Sequence, residues 1–318
     1  MKIVCNGSIA YDYLMTFPGY FKEHIMPQHL DSISLSFLVD TMVKQRGGVA
    51  PNIAYTMALL GEKPYLMGTA GEDFEDYRQW LVSKGVDCAY VKVIPGVFTA
   101  SFFANTDLAN NQISSFYTGA MAYAATYSLD VLTEKPDLMV ISPNDPTGMD
   151  NYVKECRAKN IPYLYDPSQQ IVRLSDEQLR RGVESAQSLF VNEYEFELIQ
   201  KHTGLTSDQI RNSVEVLVVT MAEKGSMIYS KGKEYVIPVV PVEQIVDPTG
   251  VGDAFRGGFL KGICMNADLQ TCGQMGSVAA AYCLEQRGTQ NHHYSPADFV
   301  TRYRKYFDDQ GVLDALLK

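Results

Sequence analysis

From about residue 129 onward, short and wholly apolar runs alternate with stretches of helical periodicity. Leu138-Met139-Val140-Ile141, Tyr163-Leu164-Tyr165, Leu189-Phe190-Val191 and Val216-Leu217-Val218-Val219 predict strands, and 149–159, 193–202 and 207–213 predict the helices between them. A strand without a polar face is buried on both sides, so this rhythm predicts a mainly parallel sheet covered by helices. The N-terminal part begins the same way: a strand at Lys2-Ile3-Val4-Cys5, a Gly47-Gly48 turn into a helix reaching about Leu60, a strand over 65–68, and a helix over 73–84 stopped by Gly85.

Two regions break the rhythm. Residues 13–46 are aromatic and irregular, Pro18 and Pro27 bar a long helix, and 32–39 alternates as a strand with one polar face does. Residues 99–104 and 112–117 flank a turn rich in Asn and Asp and predict a hairpin, with Phe102 and Phe116 in its arms. These regions read as an excursion from the main sheet. A second hairpin is expected over 227–238, turning at Lys231-Gly232, followed by apolar-faced helices over 253–265 and 268–286 and by peripheral helices in the last 25 or so residues. Ala279-Ala280-Ala281 would let another helix, or a purine ring, approach closely.

Composition narrows the function. A chain of 318 residues suits one large α/β domain, alone or with a smaller appendage. The net charge of −10 and the lack of any Lys/Arg-rich run argue against a nucleic-acid surface, so an anionic ligand must be held by local N–H groups and single cations. No apolar window approaches about 20 residues and the N-terminus lacks a secretion signal, so no membrane role and a cytoplasmic location are expected. The six cysteines form no Cys-x-x-Cys pair and the five histidines have no ligand spacing, which points to buried free thiols and away from zinc.

The candidate chemistry lies at strand ends. In open α/β sheets ligands bind beyond the carboxyl ends of the strands, and here those ends carry Ser8 and Asp12, Asn144-Asp145, Asp166 to Gln170, Asn192 to Glu195, and Thr220 to Gly225. The first strand is not followed by Gly-x-Gly-x-x-Gly, which excludes a dinucleotide oxidoreductase, and no Walker-type Gly-x-x-x-x-Gly-Lys-Ser/Thr occurs. What does occur is Val246-Asp247-Pro248-Thr249-Gly250-Val251-Gly252-Asp253-Ala254-Phe255-Arg256-Gly257-Gly258-Phe259. Glycines that expose N–H groups at a helix start form an anion hole, and Asp253 in the same turn is placed to take a proton from an alcohol. The string therefore suggests phosphoryl transfer to a hydroxyl. Asn192 and Glu195, at i and i+3, suit either a helix cap or a hydrated Mg²⁺. Phe102 and Phe116 suit either a cross-strand pair or a slot for a flat ring.

Three elements in order, Gly47-Gly48-x-x-x-Asn52, Asn192-x-x-Glu195 and Asp247-Pro-Thr-Gly-x-Gly-Asp253, make the whole chain resemble the ribokinase-like (PfkB) kinases. The resemblance implies an α/β fold: a three-layer α/β/α sandwich with a mostly parallel central sheet. It implies a single kinase domain over 1–318 with a small β-sheet lid built from about 13–46 and 98–118, Mg²⁺ with ATP as donor, and Asp253 as base. A K⁺ requirement stays open.

Within the family the chain is similar to bacterial adenosine kinases of the actinobacterial kind, through Gly7-Ser8-Ile9-Ala10-x-Asp12, Ser34 to Asp40, Arg46-Gly47-Gly48-Val49-Ala50-x-Asn52, Asp166 to Gln170 and Asp253-Ala254-Phe255-Arg256. Val49 stands where ribokinase-related sugar kinases usually have lysine, which suits a less polar acceptor. By position, the likeness implies that Asp12, Gly48 and Asn52 hold the ribose hydroxyls. Ser8 and Ser36 would line the pocket, Phe102 and Phe116 would flank the purine, and Gln169 and Gln170 would lie near it. Asn192, Thr220, Gly225, Gly250 and Gly252 would meet ATP, with Glu195 and Asn192 toward the magnesium. Arg256, one helical turn past the base, is expected in a surface pair, a phosphate contact being the lesser alternative. The reading is thus transfer of the γ-phosphoryl of Mg-ATP to the 5′-hydroxyl of adenosine. Its rivals are a sugar kinase acting on ribose or fructose and a non-catalytic nucleoside-binding protein. A lid with an apolar face to cover is compatible with a homodimer.

Overall fold

The computed structural model describes residues 1–25, 31 and 34–318. In chain order its strands are β1 (Ile3–Asn6), β2 (Ala10–Thr16), β3 (Thr41–Gly47), β4 (Tyr65–Ala70), β5 (Asp87–Val93), β6 (Ala100–Thr106), β7 (Gln112–Tyr117), β8 (Leu138–Ile141), β9 (Tyr163–Tyr165), β10 (Ser188–Asn192), β11 (Val216–Thr220), β12 (Ser226–Ser230) and β13 (Lys233–Ile237). Nine of them form one sheet in the order β13-β12-β11-β10-β9-β8-β1-β4-β5. From β11 to β5 every pairing is parallel; β12 runs antiparallel to both β11 and β13, and the β12–β13 hairpin turns at Lys231 and Gly232, both at positive φ.

Alternate residues of these apolar strands feed two separate cores. Ile3, Cys5, Val140, Phe190 and Val218 face one side, where they meet α1 (Val49–Leu59), α2 (Glu75–Ser83) and, later in the chain, Phe255 and Phe259. Val4, Met139, Ile141, Leu189 and Leu217 face the other, against α3 (Pro146–Ala158), α4 (Asp176–Glu184), α5 (Glu193–Thr203) and α6 (Ser207–Ser213). Strands of period two with both faces apolar can be buried only in such a three-layer arrangement, which is the architecture expected.

α7 (Val251–Cys264) is wedged between α1 and α8 (Leu269–Leu284). A Cβ on Gly257 would lie 2.6 Å from the Thr56 Cβ, and one on Gly258 would lie 2.5 Å from the Met275 carbonyl and 2.9 Å from the Ala279 Cβ. The glycine pair and the alanine patch thus serve helix packing. α9 (Pro296–Tyr306) closes the far side of α8.

The excursion is a four-stranded sheet in the order β3-β2-β6-β7. Its members differ in part from expectation. Residues 34–39 form no strand, while 32–33 and Pro27 lie outside the described residues. Leu35 and Leu38 are exposed and only Phe37 is anchored, edge-on to Phe17 and Phe21. Alternation confers β propensity, but a strand also needs a partner. β2 gives its edges to β3, from Ala10↔Gly47 to Thr16↔Thr41, and to β6, from Ala10↔Ala100 to Thr16↔Thr106. The β6–β7 hairpin pairs Phe102 with Phe116, as expected.

Candidate active site

The site is built around the start of α7. Gly250, its N-cap, has φ +77°, and a Cβ there would lie 2.8 Å from the Thr289 Cβ, so only glycine fits. The preceding turn is tied down by Asp247, whose two oxygens accept from the Thr249 and Gly288 N–H groups, each at 2.9 Å. Ala254 is the first amide of α7 to bond to an upstream carbonyl at ordinary distance, to Gly250 at 2.9 Å; the Val251 N–H reaches Pro248 only at 3.4 Å. Among the described residues the N–H groups of Gly250, Gly252 and Asp253 meet no acceptor. Free amides at the positive end of a helix dipole make an anion cradle.

Asp253 sits at the rim of that cradle. Its Oδ2 accepts from the Asn52 Nδ2 at 2.7 Å, joining α7 to the first turn of α1. Asn52 is itself held: its Oδ1 accepts from the Gln290 Nε2 at 2.6 Å, that amide also donates to the Tyr77 hydroxyl at 2.5 Å, and Tyr77 donates to the Gly47 carbonyl at 3.0 Å. Because Gln290 presents a donor, the Asn52 oxygen must face it and the Asn52 NH₂ must face Asp253. Burial raises the Asp253 carboxyl to about 6, with Arg256 and the Asn52 bond pulling it down and Glu195 pushing it up. Near neutral pH it is therefore ionised yet more basic than an ordinary aspartate, the state a general base requires.

Arg256 is not in a surface pair. It is 7% exposed and lies against Asp166, just beyond β9. Its Nη2 donates to Oδ1 at 2.7 Å; its Nε is also 2.7 Å from Oδ2, though too poorly aligned to count as a hydrogen bond. A helical side chain leans toward the N-terminus of its helix, which brings residue 256 back over Gly252 and under the cradle.

A cavity of about 500 Å³ opens in front of Asp253, between the large sheet and the four-stranded one. Asp253, Asn52, Gly48 and Asp12 give it polar lining, Phe102, Phe116, Met121 and Pro143 apolar lining, and Gln169, Gln170 and Ser8 complete that part of the wall. Gly48 is held at φ +96°, its Cα so close to the Ser8–Ala10 backbone that a Cβ would lie 2.4 Å from the Ser8 carbonyl. Asp12 makes no hydrogen bond among the described residues, and burial, then the charge of Asp247, raises its carboxyl to about 6.

On the other side of the cradle, Asn192 and Thr220 stand side by side at the ends of β10 and β11. Asn192 caps α5: its Oδ1 accepts from the Glu195 N–H and the Glu195 Oε2 accepts from the Asn192 N–H, both at 2.8 Å. The capping interpretation of this pair is thus realised. Gly225, at φ +91°, crosses so close to β13 that a Cβ would lie 2.1 Å from the Ile237 carbonyl, so its glycine has a structural reason of its own.

The family model for pfkB family carbohydrate kinases matches residues 9–296. The chain belongs to this family. Among relatives, a nucleoside kinase of Methanothermobacter thermautotrophicus is 31% identical, with 95% of each chain covered. The structure of Burkholderia thailandensis nucleoside kinase in complex with inosine matches with a TM-score of 0.86 at 35% identity, covering 96% of this chain and 99% of that one. The same kinase in complex with ADP-inosine matches with a TM-score of 0.83 at 37% identity, over 96% of both chains. The fold is ribokinase-like, with the four-stranded sheet in the position of the family's lid.

Of the residues singled out from the sequence, Ser8, Asp12, Gly48, Asn52, Phe102, Phe116, Gln169, Gln170, Gly250 and Asp253 line one cavity. Ser36 does not; it is exposed on the irregular 34–39 segment. Three participants carried no usable signal, Arg173 and Thr289 in the wall and Gln290 behind Asn52, while Asp166, noted at the end of its strand, had nothing to mark it as the partner of Arg256. Only packing of distant segments reveals them. The cysteines are free as expected, and among the described residues no group of three His, Cys, Asp or Glu could hold a metal and no helix is long and apolar enough to cross a membrane.

Proposed function

We propose that this family member is an ATP-dependent nucleoside kinase that phosphorylates the 5′-hydroxyl of purine nucleosides, adenosine among them. The observation that carries the reading is the mixed lining of the cavity in front of Asp253: carboxylate and amide groups that suit a ribose, together with an apolar surface that suits a base. A free sugar would leave the Phe102, Phe116, Met121 and Pro143 walls facing water. Each 100 Å² or so of apolar surface covered by a base contributes about 2.5 kcal/mol, roughly 70-fold in affinity. The one kinase of similar structure named in complexes with inosine and with ADP-inosine supports the same class of acceptor.

In the proposed reaction the acceptor hydroxyl oxygen forms a bond to the γ-phosphorus as the bridging oxygen–phosphorus bond breaks. The bonding pair leaves with ADP and the hydroxyl proton goes to the Asp253 carboxylate. Asn52 holds that carboxylate in place, and the Gly250, Gly252 and Asp253 amides receive the charge on the phosphoryl oxygens. The donor set suits a hydrated magnesium rather than a protein-ligated one. Asn192 Oδ1 and Glu195 Oε2 are spent on the α5 cap, which leaves Glu195 Oε1 as the oxygen to meet a metal-bound water. Magnesium bound with ATP would neutralise phosphate charge.

Purified protein with Mg-ATP should release ADP with adenosine and inosine at a kcat/KM at least tenfold above that with ribose or fructose. Equal or better turnover of the free sugars would overturn the nucleoside reading.

A further inference from the structure

Resting on that reading, we propose that Arg256 is a catalytic residue of this enzyme: its free Nη1 grips an equatorial oxygen of the transferring phosphoryl group while Asp166 holds the rest of the guanidinium. The side chain is 7% exposed, a depth at which an arginine is almost always fully paired. Only one edge of it is. Nη2 and Nε lie on Asp166, each at 2.7 Å, and Nη1 has no acceptor among the described residues.

That nitrogen lies beside the cradle. It lies 2.8 Å from where a Cβ of Gly252 would be, beside the Gly252 and Asp253 amides that also lack acceptors. Residue 252 is one turn before 256, so the missing side chain leaves the space that the arginine head occupies. Three donors without acceptors among the described residues thus lie together at one helix start: two backbone amides that are fixed but uncharged, and one guanidinium nitrogen that carries charge. The transition state of phosphoryl transfer places its charge on equatorial oxygens, and arginine is the side chain whose fork can hold a carboxylate with one edge and a phosphoryl oxygen with the other. A lysine, as a single point charge, cannot do both.

Asp166 makes the arrangement rigid. It follows β9, its amide donates to the Ile141 carbonyl at 2.9 Å, and it is 1% exposed. The guanidinium is therefore oriented before ATP arrives and spends no binding energy on ordering. The alternative is that Arg256 serves only as counter-ion to Asp166 and Asp253.

Arg256→Lys and the paired Asp166→Asn/Arg256→Met separate the two roles, because neither leaves the Asp166 carboxylate without a cation and the pH series reports any effect on Asp253. Adenosine-dependent ADP release is measured at saturating ATP across pH 5–9, with calorimetric binding of ADP, the β,γ-imido analogue of ATP, and adenosine. The expected result is a loss of kcat of about 10²–10³-fold in both variants. Affinity for the β,γ-imido analogue falls about tenfold, while affinities for ADP and adenosine are unchanged. Retention of kcat within about threefold, equal weakening of ADP and the analogue, or full recovery of the rate at raised pH with analogue affinity intact would each overturn the proposal. Wild-type protein that releases no ADP with any nucleoside would instead overturn the reading on which it rests.

Discussion

The cleft holds two carboxylates with the same raised pKa in opposite settings. Asp253 stands on the rigid start of α7, supplied with a donor from Asn52 and a cation from Arg256. Asp12 stands on β2 of the lid sheet, facing the cavity with no donor of its own among the described residues. Both are pushed up to about 6 by burial, yet only Asp253 has that rise opposed by neighbours that favour the ionised form. The difference is the ground for proposing Asp253, and not Asp12, as the base. A carboxylate already oriented and partly satisfied is ready to receive a proton, whereas one left without donors is completed by the hydroxyls of a ligand.

The largest effect that would break this comparison is on turnover. Asp253→Asn should lower kcat by roughly 10²–10⁴-fold with nucleoside affinity nearly unchanged, since the amide keeps the shape but cannot take the proton. Asp12→Asn should act the other way, raising KM for the nucleoside about 10–100-fold through the loss of charge-assisted hydrogen bonds and sparing kcat at saturation. Steady-state kinetics on both variants would dissolve the distinction if the two effects came out alike.

Acidification tests the shared feature. Because the folded-state pKa of Asp253 is near 6, the rate should fall about tenfold between pH 8 and pH 5, about fivefold of it below pH 6, as the base is protonated. Stability should move oppositely. A carboxyl whose folded pKa lies above its unfolded value favours folding fully below that unfolded value and loses the contribution as pH rises through about 6. Melting temperature should therefore hold or rise from pH 7 to pH 5 while activity disappears; parallel loss of both would show that unfolding causes the decline.

The smallest effects sharpen the boundary of the acceptor slot. Phe102→Ala should raise KM for adenosine about tenfold and leave ATP affinity unchanged, from lost area and ring contact. Phe116, half exposed at 50%, has less area to lose, and Phe116→Ala should raise KM by only about threefold. A free-sugar activity improved by either substitution would place the sugar, and not the base, against these rings.

Much of this was legible along the chain because it is local. An apolar run of four or five residues between helical stretches is a buried parallel strand whatever surrounds it, and Gly250-Val251-Gly252-Asp253 forms a helix start by its own stereochemistry. The lid was harder. The alternating residues 32–39 looked more strand-like than Thr41–Gly47, yet β2 pairs with the latter, because strand membership depends on the partner edge as well as on propensity.

By itself, then, the sequence determined the layered sheet, the cradle at α7 and the proposed base in its first turn, each set by residues close together along the chain. Tertiary structure alone decided that Gln290 orients Asn52, that Asp166 lies under Arg256, 90 positions away, and that Ser36 stays outside the cavity. Such contacts arise where distant segments pack, and a side chain's direction there follows from neighbours that no local pattern encodes.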